Sequence, residues 1–310
     1  MSVNSEPAGL PPGLTVLERG WLSSNNIVIQ GVAGTALIDS GYCTHVPQTL
    51  ALLRDTLQGR PLNVLINTHL HSDHCGGNAA LQAAYPHLHT LIPPGQAQHV
   101  RHWNPDALSY TPTGQSCPAF RFDEVLQPGT EVQLGDDPWQ VHAAPGHDSH
   151  SVILFEPVSR TLVSADALWQ RGFGVVFPEL DGDGAFDEVA ATLDVIEALA
   201  PLWVVPGHGA PFADVTQALG VARQRLARFV ANPQQHLQYA TKVLLKFKLL
   251  EAQGLDWAEL LGWVQATPYL TRLLAQQFDG LALAPALEVL VADLVRSGAA
   301  TQQGTRLLNT

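Results

Sequence analysis

A two-part α/β fold, sheet-rich over about the first 210 residues and helical beyond, is predicted by three observations. Short apolar strand runs alternate with segments of helical period up to Gly209, and no comparable strand run returns until the last dozen or so residues. Charge divides at nearly the same place: residues 1–220 hold 7 basic and 22 acidic side chains, residues 221–310 hold 9 and 6, which sets the expected domains at 1–220 and 221–310. With 310 residues, 46% hydrophobic and 14% charged, the chain carries enough apolar surface to offset the entropy of ordering.

The elements follow in order. NIVIQGVAGTALID, residues 26–39, is two apolar runs split by glycines and predicts a hairpin. Leu50, Leu53 and Leu57 recur at helical spacing before Gly59, and NVLIN, residues 63–67, is a compact buried strand. Residues 93–122 carry Trp103, Tyr110, Cys117 and several prolines without periodicity, as a long surface excursion would. Strands resume at EVQL, WQVHA, SVILFE, TLVSAD and WVVP, with a helix from Phe186 to Ala200 whose stripe is Val189, Leu193, Ile196 and Ala200. Later helices are expected to start near Asp214, at Asp256 as a cap, and at Thr267-Pro268. A helix over 284–296 then leads into AATQQGTRLL, a short hairpin or wing.

Composition excludes several classes. The opening MSVNSEPAGLPPGLTV lacks the basic start and apolar stretch of an export signal, so a cytoplasmic location is expected. No run of 18 apolar residues predicts a membrane span. Cys43, Cys75 and Cys117 are odd in number and irregularly spaced, which argues against a disulfide framework.

The chemistry is concentrated at strand ends. THLHSDHCGGN places His69, His71, Asp73 and His74 within six positions directly after the strand NVLIN. His147 in PGHDSH, His208 in VVPGHG and Asp166 in TLVSAD each follow another strand. Alternate residues of an extended segment share a side, so His69 and His71 can face one ion while the following turn aims Asp73 and His74 at a neighbouring point. Open α/β sheets gather ligands at the carboxyl ends of their strands. Asp39, ending the strand ALID, is either an acceptor for a ligand's second nitrogen or a turn residue before Gly41. Gly76 and Gly77 are expected to let the chain pass close to the site before a helix starting near Asn78. Trp169, Phe173 and Tyr110 are the expected aromatic pocket wall, and Phe177 reads as core.

These segments, in this order over about residues 14–212, resemble the metallo-β-lactamase fold superfamily. The resemblance implies a four-layer αββα sandwich, here followed by a helical, winged-helix-like C-terminal domain. It also implies a two-metal site in which His69, His71 and His147 hold one ion, Asp73, His74 and His208 the other, and Asp166 bridges them. Zinc is the first expectation for the two divalent ions, with iron or manganese as alternatives, because imidazole and carboxylate donors suit all three. Such a site makes a bridging hydroxide available near neutral pH, and Asp73 is the residue expected to orient it.

The expected activity is hydrolysis of a small carboxylic ester, thioester or lactone, similar to the glyoxalase II and lactonase branches. The alternatives are a lactamase-like ribonuclease or other phosphodiesterase, suggested by the C-terminal part with Arg223, Arg225, Arg228, Lys242, Lys246 and Lys248, and a mononuclear iron persulfide dioxygenase. A small molecule is the expected partner. Nucleic acid is disfavoured by the acidic catalytic part, no membrane is involved, and a homodimer is left open.

Overall fold

The computed structural model describes residues 9–310; the first eight residues, read above as part of a segment without an export signal, lie outside the described residues. The chain divides into two compact units, one of residues 1–104 and 117–227, the other of residues 105–116 and 228–310.

The first unit holds eleven strands among the described residues: β1 Leu14–Leu17, β2 Asn26–Gln30, β3 Thr35–Ile38, β4 Val64–Ile66, β5 His89–Ile92, β6 Glu124–Val125, β7 Glu131–Leu134, β8 Asp137–Ala143, β9 Val152–Glu156, β10 Thr161–Ala165 and β11 Trp203–Pro206. They form a six-stranded sheet in the order β1-β2-β3-β4-β5-β6 and a five-stranded sheet in the order β11-β10-β9-β8-β7. The predicted hairpin is the β2–β3 pair, with Ile27 opposite Ile38, and its tip is tied by Asp136, whose carboxylate accepts the Val32 and Ala33 N–H groups at 2.8 Å each.

Strand pleating explains the layers. Ile27, Ile29, Ala36, Ile38 and Ile66 point one way and meet Leu134, Trp139, Val141, Leu154 and Val163 of the second sheet in one buried cluster. Their neighbours Val28, Leu37 and Leu65 point the other way, into a cluster with Leu53 and Leu57 of helix α1 (Val46–Leu57) and with Leu81. Helix α2 (Ser72–Cys75) is a single turn, followed by α3 (Asn78–Ala84), α4 (Ala97–Arg101), α5 (Phe177–Asp181) and α6 (Phe186–Leu199); α6 buries the predicted stripe of Val189, Leu193 and Ile196. Two sheets face to face with helices outside are the αββα sandwich.

Helix α7 (Val215–Ala231) starts directly after Asp214, and the division into units falls within it. The second unit continues with α8 (Pro233–Ala252), strand β12 (Gly254–Asp256), α9 (Trp257–Gln265), α10 (Pro268–Gln277), α11 (Leu283–Arg296) and the hairpin β13 (Ala300–Gln303) and β14 (Arg306–Asn309). Asp256 and Glu259 form a complete capping box at the start of α9. The predicted hairpin is present; it joins β12 in an antiparallel sheet of order β12-β14-β13, a short strand the apolar pattern had not indicated. Lys242 pairs with Asp293, Lys248 with Glu251 at 2.7 Å, and the Lys246 ammonium donates to Ala299 O and Asn309 Oδ1 at 2.6 Å each, so all three lysines are engaged within this unit.

The 93–122 segment is not a surface excursion throughout. Leu108 and Tyr110 are buried in the second unit, where Pro112 O accepts the Tyr269 N–H at 3.1 Å. Among the described residues no helix is long and apolar enough to cross a membrane.

Candidate metal centre

Five of the seven predicted ligands, and Asp39, lie beyond strand ends in the first unit, while Asp73 and His74 sit on the single turn of α2. Asp39 follows β3, His69 and His71 follow β4, His147 lies in the β8–β9 turn, Asp166 follows β10 and His208 follows β11. Two backbones are bent to serve this edge: Asp39 at φ 58° and Ala165 at φ 47° are left-handed, a conformation that costs a non-glycine residue about 1–2 kcal/mol. At Ala165 the β10–β11 register also shifts, which turns Asp166 inward. Gly207 is required on the neighbouring loop, because a methyl group there would overlap Asp166 Oδ1 and press on His74. Gly76 serves a close approach too, with a Cβ landing 2.7 Å from the Cys43 nitrogen.

Seven side chains converge as two triads and a shared carboxylate. His69, His71 and His147 bring their donor atoms together in one triad, and Asp73, His74 and His208 in the other, with the atoms of each within 4.8 Å of one another. His71 Nδ1 lies 3.1 Å from His69 Nε2 and 2.8 Å from His147 Nε2. Across the site, His208 Nε2 is 3.2 Å and His74 Nε2 3.9 Å from Asp73 Oδ2. Asp166 reaches both triads, at 3.4 Å from His147 Nε2, 3.5 Å from His74 Nε2 and 3.9 Å from His208 Nε2.

The hydrogen bonds behind the rings set the tautomers. His147 Nδ1–H donates to Val175 O at 2.5 Å and His208 Nδ1–H to Gly20 O at 2.9 Å. His74 Nδ1–H donates to Asp39 Oδ2 at 2.8 Å. The Thr68 hydroxyl donates to that same carboxylate at 2.8 Å and so can accept His69 Nδ1–H at 3.2 Å. Asp39 is therefore an acceptor rather than only a turn residue, and it orients one histidine of each triad.

These contacts test whether the residues fit a cation. His69 and His147 both spend their N–H groups outward, so both Nε2 lone pairs point at His71, which has at most one proton to offer them. His74 Nε2 is buried with no hydrogen-bond partner, aimed between Asp73 and Asp166. Converging lone pairs beside the buried Asp166 and half-buried Asp73 carboxylates are satisfied by positive charge between them, and the donor set fits divalent ions.

Electrostatics differ between the triads. Burial, then the neighbouring imidazoles His74, His71 and His147, hold His69 well below its usual pKa; burial and His71 bring His147 down to about 4. In the other triad burial opposes charge on His74, yet Asp39, Asp166 and Asp73 outweigh it and raise its pKa well above the usual value. His208 is raised against burial by Asp166 and Asp73. Burial works against ionised Asp166 and Asp73 as well, but His74 and His208 keep both below the ordinary carboxylate value.

Aromatic side chains flank the centre. Trp21, 57% exposed, stacks on His208 with ring centroids 5.3 Å apart and planes at 13°. Trp169 meets Trp21 edge-on at 5.2 Å and donates its indole N–H to Asp166 Oδ1 at 3.2 Å. Phe177 is half-buried with its ring 5.4 Å from His71 and 5.8 Å from His147, so it belongs at the site and not in the core. Of the predicted wall, only Trp169 is here. Phe173 is fully buried beneath the Arg225 guanidinium, 5.2 Å from its ring, and Tyr110 is buried in the second unit. Trp21, Phe177 and Asp148, whose Oδ2 lies 3.8 Å from His71 Nε2, complete the surroundings. Of these, Asp148, directly after His147, and Phe177, in the segment that follows Asp166, carried a signal, and Trp21 carried none.

Residues 19–208 match the family model described as the Metallo-beta-lactamase superfamily. Among curated proteins, the hydroxyacylglutathione hydrolase of Methylococcus capsulatus is 26% identical over 189 residues, 60% of this chain and 62% of that protein. The protein of the same name from Mesorhizobium japonicum is 28% identical over 143 residues, 46% of each. The match thus spans about half the length of these relatives. Among solved structures, a metallo-beta-lactamase family protein from Thermus thermophilus superposes with a TM-score of 0.58 at 18% identity, covering 97% of this chain and 100% of that one. A beta-lactamase domain protein from Burkholderia ambifaria gives 0.57 at 18% identity, covering 99% and 96%. At these identities the structural likeness concerns the fold.

Proposed function

The chain belongs to the metallo-beta-lactamase superfamily, and from that premise we propose that it is a dinuclear metal-dependent hydrolase of a small carboxylic ester, thioester or lactone, with zinc as its metal. The observation that carries this is the pair of triads with Asp166 reaching both. His69, His71 and His147 would hold one ion, Asp73, His74 and His208 the other, and Asp166 would serve both. When bound, the two ions would supply an acidified water and a Lewis acid for the substrate carbonyl.

The chain's own groups do the rest. Asp73, with its Oδ2 turned toward His208, is placed to accept a proton or orient the attacking water as well as to bind metal. Asp39, Val175 O and Gly20 O fix the rings from behind, so little reorganisation is needed during the reaction. Trp21, Trp169 and Phe177 offer apolar surface beside the centre, which favours substrates with an apolar group next to the carbonyl. The hydroxyacylglutathione hydrolases among the relatives support thioesters as one class to test.

A hydrolysis screen of the full chain, with metal content measured in parallel, tests this reading. Turnover of a lactone, thioester or aryl ester at about two zinc per chain is the expected result. Turnover of RNA or phosphodiesters alone, or one iron per chain with oxygen uptake on a persulfide, would overturn it.

A further inference from the structure

The segment between β1 and β2, residues 18–25, has no regular structure, yet it is fastened along its length. Arg19 donates through its guanidinium to Thr49 Oγ1 at 2.8 Å and Gln48 Oε1 at 2.9 Å. Ser24 N–H donates to Asp73 O at 2.9 Å, and Gly20 O accepts His208 Nδ1–H. Trp21 lies flat on the His208 ring.

At the end of the segment sits Asn25, fully buried. Its carboxamide NH2 donates to Pro206 O at 3.0 Å and to Gly209 O at 2.7 Å, and its backbone N–H donates to Gly207 O at 2.7 Å. Three of the four carbonyls from 206 to 209 are therefore held by one residue, on both sides of His208. Its Oδ1 accepts the Arg19 N–H at 3.3 Å, which fixes which way the amide faces. Gly207, gripped in the middle of this loop, is also the residue pressed against Asp166 and His74. Among the described residues, the hydrogen bonds from this segment to the centre end on Asp73, on His208 or on the loop that carries His208. None ends on His69, His71 or His147.

We propose that Asn25 is the positioning residue of the Asp73–His74–His208 triad: its buried amide fixes the 206–209 loop, so that affinity for the second divalent ion, and not the first, depends on it. The inference rests on the two-ion reading above. An amide is required because the position faces carbonyl oxygens from two directions. Aspartate would have the same shape but would set a carboxylate against Pro206 O and Gly209 O, and alanine would keep only the backbone bond to Gly207 O and leave Pro206 O and Gly209 O without the amide donor.

The test uses the full chain stripped of metal and titrated with zinc against a competing chelator, with cobalt substitution to follow each site by its visible spectrum. Asn25→Ala is expected to keep one ion within about 2-fold of the wild-type affinity and to weaken the other by about 10-fold or more, the usual scale for losing support behind a ligand. Asn25→Asp should weaken it at least as much, with the cobalt spectrum of the remaining site unchanged. If these buried variants fail to fold, Trp21→Ala removes an exposed ring that packs on His208 and Trp169, and should weaken the second ion by about 3-fold and the first by less. Two ions bound by Asn25→Ala at wild-type affinity, or both weakened equally, would overturn the role of Asn25 while leaving the dinuclear reading intact. A wild-type chain that takes up a single ion would remove the dinuclear reading, and this inference with it.

Discussion

The two triads differ in kind, although each draws its three side chains from beyond the strand ends of both sheets. One consists of imidazoles alone and is held by Thr68, Val175 O and the β4–α2 turn; its His69 and His147 are kept neutral by burial and by neighbouring imidazoles, His71 among them. The other contains Asp73 and lies beside Asp39 and Asp166, and its His74 and His208 are pulled toward the charged form. The all-imidazole triad is ready to bind a cation at neutral pH. The acidic triad must first exchange protons for metal. The difference predicts unequal sites: a first ion that binds readily and a second that depends on pH and on the supports behind the ligands.

The largest effect tests what the two triads share. Asp166→Ala should lower metal content and cut kcat/KM by about 10³-fold or more, roughly 4 kcal/mol of transition-state stabilisation, with circular dichroism unchanged. Full activity in this variant would mean that the triads work without a common ligand. Next comes a pair of changes to the support. Asp39→Ala should weaken both ions by about 10- to 100-fold, since it reaches His74 directly and His69 through Thr68. Thr68→Val should weaken only the ion of the imidazole triad, as read by cobalt spectra.

Acidification should separate the triads as well. As pH falls, protons compete first for His74 and His208, whose pKa values are raised, and for His147 only near about 4, so the second ion should leave at the higher pH. In the metal-free protein the same groups have the reverse consequence. Charged His74 and His208 stabilise the fold fully below their unfolded value of about 6.5, and that stability is lost as pH rises through their raised folded values. A thermal melt of metal-free protein across pH 7–9, above the range in which the lowered His69 and His147 act in the opposite direction, measures this, and a transition temperature that rises with pH there would contradict the assignment. The smallest effect concerns the flanking rings: Phe177→Ala should raise KM for substrates with a bulky apolar acyl group by about 3- to 10-fold and leave kcat within about 2-fold.

The ligands were legible in the sequence because each follows a strand and four lie within six residues, a local pattern that survives without knowledge of the fold. The αββα layering was legible only through the resemblance these segments carry, because NIVIQ and TALI are apolar on both faces and do not themselves say that Ile27 and Ile38 meet the second sheet while Val28 and Leu37 meet α1. What lacked a local signature was whatever depends on distant chain. Gly20 and His208 are 188 positions apart, and nothing near Trp21 or Asn25 announces that they close over the second triad. Tyr110 misled because an aperiodic, proline-rich segment looks exposed, whereas this one is buried with α9 and α10 in the second unit. Strand β12 is too short to show alternation and exists because β14 pairs with it.

The stacking of Trp21 on His208 also gives the second triad an optical signal of its own. An indole whose face lies 5.3 Å from an imidazole responds when the cation held by that ring changes from a proton to a metal ion, because the cation acts on the π-system. Subtracting the fluorescence of Trp21→Phe from that of the wild-type chain would isolate this ring from the other six tryptophans. The order in which the two sites fill could then be followed in solution, without cobalt and in real time, by light emitted from a residue at the rim of the centre.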